Sequence, residues 1–253
     1  MSSARAARPP LRTDRTDHAD HADHTDHTDR TDRTDHADRT ARNHEERRTT
    51  MAKVYTTASM SLDGYVSGPG ETGFDRLFAW YGNGDVAVET AHPELALRLT
   101  EVSAAYWRRV ASETGALVVG RKLFDLTEGW GGTHPLGVPV VVVTHTVPDG
   151  WPREGAPLHF VTDGGTRGVE RAVALARELA GGKDVAVNAG TIARQCLDAG
   201  LVDEVGVDLV PVLLGGGTPF FAGLRGAPYE LEGPVSLAEG DRVTHLRYRV
   251  RYA

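Results

Sequence analysis

Four short stretches of this chain place glycines, hydroxyls and cations where an anion could lie against the backbone. In Asn188-Ala-Gly-Thr-Ile192, Gly190, Thr191 and Ile192 stand where an apolar run gives way to a helical pattern. Such a helix start leaves backbone N–H groups free, with the positive end of the helix dipole behind them, and so suits a phosphate. Simple capping by Thr191 is the other use of the same residues. Gly120-Arg121-Lys122 repeats the arrangement with two cations in the first helical turn. The dipole disfavours cations there, so a polyanion accounts for them better than a solvated surface does. Leu213-Leu-Gly-Gly-Gly-Thr-Pro219 sets Gly215, Gly216 and Gly217 directly after an apolar run. They serve either a tight turn or the close approach of a ligand to the backbone. Thr144-His145 ends a fourth apolar run on polar side chains.

One carboxylate stands apart. Asp63, in Ser61-Leu-Asp-Gly-Tyr65, is half of an Asp-Gly turn pair, or it is the group that orients a substrate or relays a proton. The residues alone leave both uses open.

The elements that must position these residues follow from periodicity. Lys53–Ser59 alternates and is rich in β-branched residues, which predicts a strand. Ala116–Gly120, Val138–Thr144, Leu158–Val161, Asp184–Asn188 and Glu204–Val210 are short apolar runs, the pattern of strands buried on both faces. Helical patterns lie between them at 94–113, 121–127, 167–180 and 190–199, with Val169, Val173, Ala176 and Leu179 on one stripe. Alternation of strand and helix from 116 to 210 predicts an α/β fold with a mostly parallel sheet. Two strands near 228–237 and 242–252, turning at Glu239-Gly240-Asp241, predict an antiparallel hairpin at the sheet edge. Leu246, Tyr248 and Val250 alternate there with Arg247, Arg249 and Arg251, which suits either pairing with a second subunit or protection of the edge. Ligands of parallel sheets gather at the carboxyl ends of the strands, and all four polar strand ends fall on that edge.

Composition bounds the function. The 253 residues are 40% hydrophobic and 25% charged, as in a globular protein. No stretch approaches the roughly 18–20 apolar residues of a membrane span, and no secretory signal opens the chain, so a cytoplasmic location is expected. The single cysteine, Cys196, excludes an internal disulfide and a multi-cysteine zinc site, and its mid-helix position predicts a buried, inert thiol. Residues 1–50 hold 10 Arg against 11 acids, and residues 51–253 hold 18 Lys and Arg against 24 acids. The domain is therefore mildly acidic, which argues against nucleic acid as its main partner.

From Arg12 to Thr40 the chain repeats TDR, TDH and ADH units, with no Val, Ile, Phe, Tyr or Trp before Met51. Such a segment cannot offset its ordering entropy and is expected to be disordered. Its six histidines could bind divalent ions weakly, but nothing fixes a geometry, so no metal site is expected. Met51 looks like a natural translation start, with one domain over 51–253.

Met60-Ser-Leu-Asp-Gly64, VVGRK at 118–122, VNAGTIARQCLDAGLVDE at 187–204 and PVLLGGGTPFF at 211–221 occur in that order. Together they resemble the reductase domain of the bacterial riboflavin-pathway deaminase-reductase, within the dihydrofolate-reductase-like superfamily, over nearly all of 53–252. The resemblance implies a three-layer dihydrofolate-reductase-like fold and an NADPH-dependent reductase, often a homodimer. Its family activity is 5-amino-6-(5-phosphoribosylamino)uracil reduction in riboflavin biosynthesis.

It also implies roles. Arg121, with Gly120 and Lys122 at the same turn and Thr144 and His145 beside it, would face the 2′-phosphate and adenosine of NADPH. Gly190, Thr191 and Ile192 would cradle the pyrophosphate, Gly215, Gly216 and Gly217 would line the nicotinamide half, and Asp63 would sit by nicotinamide and substrate. The chain departs from the pattern in three ways. No H-x-E…P-C-x-x-C deaminase signature precedes the domain, Leu123 replaces a threonine common in folate reductases, and no basic cluster resembles a ribose-phosphate clamp. The implied substrate class widens to pteridine- or pyrimidine-like and other small carbonyl or imine compounds. The long segment Gly68–Pro93 carries Phe74, Trp80 and Tyr81, as a ligand lid or as loop anchors. A non-catalytic dinucleotide-binding or sensor protein keeping the same fold is the alternative function.

Overall fold

The computed structural model describes residues 52–92 and 94–252. The tail with its histidines, and Met51, lie outside these residues. Eight strands follow one another across the main sheet. In chain order they are β1 (Val54–Thr57), β6 (Thr114–Gly120), β7 (Val140–Val143), β8 (Leu158–Val161), β9 (Asp184–Asn188), β10 (Glu204–Val210), β12 (Glu230–Gly240) and β13 (Val243–Arg251). Their spatial order is β12-β13-β10-β1-β9-β6-β7-β8, and a ninth strand, β2 (Ser59–Ser61), continues β1 past Ala58 and also pairs with β10. Every pairing from β10 to β8 is parallel, and only the β13 and β12 ladders are antiparallel.

Neighbouring side chains on a strand face opposite ways, so each apolar run feeds two cores. Val118 and Val141 pack with Val169, Val173 and Ala176 of α4 (Gly165–Leu179) and with Cys196 and Leu197 of α5 (Thr191–Asp198). Val119, Val140 and Val142 face the other way, onto Phe124 of α3 (Arg121–Leu126). On that second face, toward the hairpin, lies α2 (Glu101–Glu113), whose Ser103 Oγ is 3.0 Å from His245 Nε2 of β13. Three layers result, and the expected α/β class is the class found.

Two expectations about elements need correction. The helix expected over 94–113 begins only at Glu101, because Thr100 caps it by accepting from Ser103 N. Leu97–Leu99 instead forms β5, paired antiparallel with β4 (Val86–Val88), an alternating Leu-Arg-Leu that the helical count absorbed. In the C-terminal hairpin the first strand starts two residues later and ends three residues later than expected, and the chain turns at Asp241-Arg242, with Arg242 at φ 58°. The arginines do not guard the edge: β13 lies inside, and the open strand is β12. Arg247 is buried over the Tyr55 ring, 3.6 Å from Glu204, whose other oxygen holds Lys53 Nζ at 2.7 Å.

Of the aromatics in 68–93, Trp80 and Tyr81 act as anchors. Trp80 is buried and donates from Nε1 to Ser59 Oγ at 3.1 Å, and Tyr81 packs edge-on to both Trp80 and Trp107. They seal a small core with Leu77, Leu97 and Leu99 beside α2. The short helix α1 (Phe74–Leu77) leads the chain into this core.

Candidate functional site

Helices α3 and α5 start at the carboxyl ends of β6 and β9, which are paired neighbours. Neither has a side-chain cap; Gly120 and Gly190 hold the cap positions. Helix α4 likewise starts without a side-chain cap, at Gly164, beyond the end of β8. Three helix N-termini thus leave N–H groups unsatisfied along one edge of the sheet. Gly190 lies at φ 84°, ψ −137°, a region that side chains disfavour strongly, so glycine there is a backbone requirement.

The expected residues form a connected strip. A methyl on Gly120 would stand 3.0 Å from Ile192 Cγ1, so the first turns of α3 and α5 are in contact. Arg121 donates from Nε to both Asp125 oxygens, at 2.7 and 2.9 Å, and from Nη1 to Thr146 O and Thr144 Oγ1. That bracing aims its guanidinium across the end of β7. His145 is exposed next to Thr144, and its Cε1 would be 4.0 Å from a methyl on Gly164. At the other end, Thr218 of β11 (Thr218–Pro219) would touch a methyl on Gly190 at 4.0 Å, and its hydroxyl accepts from Lys122 Nζ at 3.4 Å. Thr191 is exposed on the same strip.

Gly217 approaches β3 (Tyr65–Ser67) so closely that a methyl there would lie 2.0 Å from Ser67 O, and its φ is 120°. Gly215 and Gly216 also have positive φ. The glycine run therefore lies flat against the first loop of the domain.

Asp63 is bound at both carboxylate oxygens. Oδ1 accepts from Ser61 Oγ at 2.6 Å and Leu214 N at 3.1 Å, and Oδ2 accepts from Gly215 N at 2.7 Å. The Ser61 hydroxyl, followed by the two amides, holds its pKa below the ordinary carboxylate value. A carboxylate kept ionised in this way suits a loop clamp better than a proton donor. The geometry thus adds a third use, joining two loops, to the turn and relay uses considered for it.

Sequence reasoning missed Gly164, Thr218 and Glu71. Gly164-Gly165-Thr166 before an amphipathic stripe carried the same signal as Gly190-Thr191, but the helix was expected to start at 167. Thr218 was inside the glycine motif, and its partner Lys122 lies 96 positions away. No local signal marks Glu71, whose carboxylate meets Lys122 Nζ at 2.9 Å.

A second constellation has the connectivity of a hydrolase triad without its accessibility. Ser103 Oγ meets His245 Nε2, and His245 Nδ1 meets Asp208 Oδ1 at 2.7 Å. All three residues are buried, with Tyr106 stacked on the imidazole at 3.9 Å. A nucleophile needs a face open to a carbonyl, and here the neighbouring rings close it. This is a polar bond between α2 and the sheet. Among the described residues no cluster of metal-ligating side chains occurs, and no helix is long and apolar enough to cross a membrane.

A parallel α/β sheet with uncapped helix starts along its carboxyl edge defines a class of ligand-binding domain. Within that class the family model of the RibD C-terminal domain matches residues 52–232, and the chain belongs to that family. A putative riboflavin biosynthesis protein from Shewanella sp. PV-4 shares the fold, at TM-score 0.58 and 19% identity over 79% of this chain and 99% of that one. The deaminase/5-amino-6-(5-phosphoribosylamino)uracil reductase of Thermotoga maritima aligns at TM-score 0.49 and 13% identity, over 80% of this chain and 58% of that one. Dihydrofolate reductase from Enterococcus faecalis, complexed with NADP(H), aligns at 0.47 and 16%, over 79% and 97%. No curated protein matches the sequence.

Proposed function

We propose that the domain is an NADPH-dependent reductase of the riboflavin-pathway and dihydrofolate reductase type, acting on a small carbonyl or imine compound. The carrying observation is the contact between the uncapped starts of α3 and α5, with Arg121 braced beside them. Free N–H groups, two dipole ends and one fixed guanidinium suit a ligand with several phosphates in an otherwise acidic domain.

NADPH, when bound, supplies the hydride. The chain's own groups do the positioning. Gly190, Thr191 and Ile192 hold the pyrophosphate, with Gly120 permitting close approach. Arg121, with Thr144 and His145 at the end of β7, meets the 2′-phosphate and adenosine, and Lys122 adds charge from the same turn. Gly215, Gly216 and Gly217 face the nicotinamide half. Asp63 holds that run in place and is a positioning residue in this reading. The acceptor's proton then comes from another donor, water included.

Fluorescence titration with NADPH and NADH tests the cofactor. Sub-millimolar binding of NADPH, with NADH weaker, is expected; no binding of either would sink the reading. Arg121→Gln should erase most of the preference for NADPH, about tenfold or more if charge-assisted hydrogen bonds to the 2′-phosphate are lost. NADPH consumption in a screen of pteridine, pyrimidine and small carbonyl compounds tests turnover.

A further inference from the structure

Lys122 is the one cation of the cofactor strip that already holds a carboxylate from another element. Its ammonium lies 2.9 Å from Glu71 Oε1 and 3.4 Å from Thr218 Oγ1, and so links the start of α3 to two loops. Glu71 sits at φ 61°, a left-handed conformation uncommon for glutamate, at the tip of a tight loop. That loop is closed by Gly68 N donating to Thr72 O, Glu71 N to Gly68 O and Thr72 Oγ1 to Pro69 O. Behind it the packing is close. A methyl on Gly73 would stand 2.8 Å from Leu214 Cδ2, and Gly217 lies against Ser67. The loop is therefore seated on the glycine run, and its Glu71 carboxylate sits on the ammonium beside the helix starts.

We propose that Glu71 sets the affinity of the cofactor edge by occupying the ammonium that the dinucleotide phosphates would otherwise take. The inference rests on the cofactor reading above. The two side chains are 58% and 40% exposed, so their ion pair is weak enough for a polyanion to displace. Binding of the dinucleotide exchanges one carboxylate for phosphate oxygens at Lys122 and releases the tip of the 68–73 loop. Glu71 thus acts as an internal competitor, and its removal strengthens binding.

Equilibrium titration of the full chain with NADPH at low salt tests this in four proteins: the parent, Glu71→Gln, Lys122→Met and the double variant. Glu71→Gln should bind about two- to fivefold more tightly, the range of one exposed ion pair, and the gain should shrink as KCl rises. Lys122→Met should bind more weakly, and on that background Glu71→Gln should give no gain. The vanishing gain is the decisive readout, since a purely structural effect of the loop would persist without Lys122. Glu71→Ala, checked by thermal melting, should repeat the gain and guards against an effect peculiar to glutamine. Unchanged or weaker binding in both Glu71 variants overturns the proposal and leaves the cofactor reading standing. A gain that survives in the double variant overturns it as well. If the parent binds no NADPH, both fail together.

Discussion

The carboxylate of Asp63 accepts a hydrogen bond from the backbone N–H of Gly215 at 2.7 Å, across 152 positions of sequence. This bond and its neighbour from Leu214 pin the glycine run to the first loop of the domain. Asp63 thereby fixes the distance of the glycine run from β2 and β3.

That clamp has a pH signature. The folded-state pKa of Asp63 is lowered, so the stability it contributes is fully present above the ordinary carboxylate value and is lost as pH falls through the lowered one. Asp63→Asn should melt below the parent at pH 7, and the gap should close as melts are taken from pH 5 toward pH 2. A constant gap would show that the charge is not what matters. If Asp63→Asn binds NADPH but loses all turnover, a pure sensor is excluded and Asp63 does more than clamp.

Gly217→Ala should be costly for a different reason. Its added methyl would overlap Ser67 O at 2.0 Å, and φ 120° disfavours any side chain. We expect a loss of about 1–3 kcal/mol from backbone strain, with NADPH affinity falling as the loop moves off β3. Urea unfolding and cofactor titration on the same variant measure both, and an alanine variant as stable as the parent would refute the close packing.

Stability and binding should separate at Glu204. It is buried at the start of β10, at the end of the strand opposite the ligand edge, and neutralises both Lys53 and Arg247. Removing its charge leaves Arg247 buried with only the more distant Glu113 at 3.9 Å. Loss of one partner of a buried pair costs about 3 kcal/mol or more. Glu204→Gln should therefore lower Tm by roughly 6–12 °C for a domain of this size, while NADPH affinity below the transition stays at the parent's value.

Cys196 should resist modification. It is fully buried on α5, and burial pushes its thiol pKa up to about 12. Thiol reagent at pH 8 should label it only on the timescale of unfolding, and immediate labelling of native protein would show that α5 opens locally.

Much of this fold was legible because burial on both faces writes itself into short Val-rich runs, as at Val118-Val119 and Val140–Val143. The three-residue strands β4 and β5 were not, because Leu97-Arg98-Leu99 fits one turn of an amphipathic helix as well as a strand. Only the pairing with Val86–Val88 decides it. At the site, Gly120 and Gly190 announced themselves by standing between an apolar run and a helical stripe. Asp63 stood out as a residue but not as a clamp, and Glu71 not at all, since each acts on a partner, Gly215 or Lys122, that chain folding alone brings near. Arg247 misled for the same reason: alternation with apolar residues looks identical whether the opposite face meets water or a buried glutamate.

The glycines at the helix starts have a consequence for engineering the domain. Gly164, at φ −86° and ψ 161°, has the backbone of an ordinary cap, and a methyl there would meet nothing closer than His145 Cε1. Aspartate or serine fits that backbone and would satisfy the helix from within, stabilising the chain by about 1 kcal/mol. The same substitution would consume an amide and, with aspartate, add a repelling charge at the ligand edge. Variants selected for heat resistance alone should therefore drift toward capped helices and, on the proposed reading, lose dinucleotide affinity unless the selection also demands it.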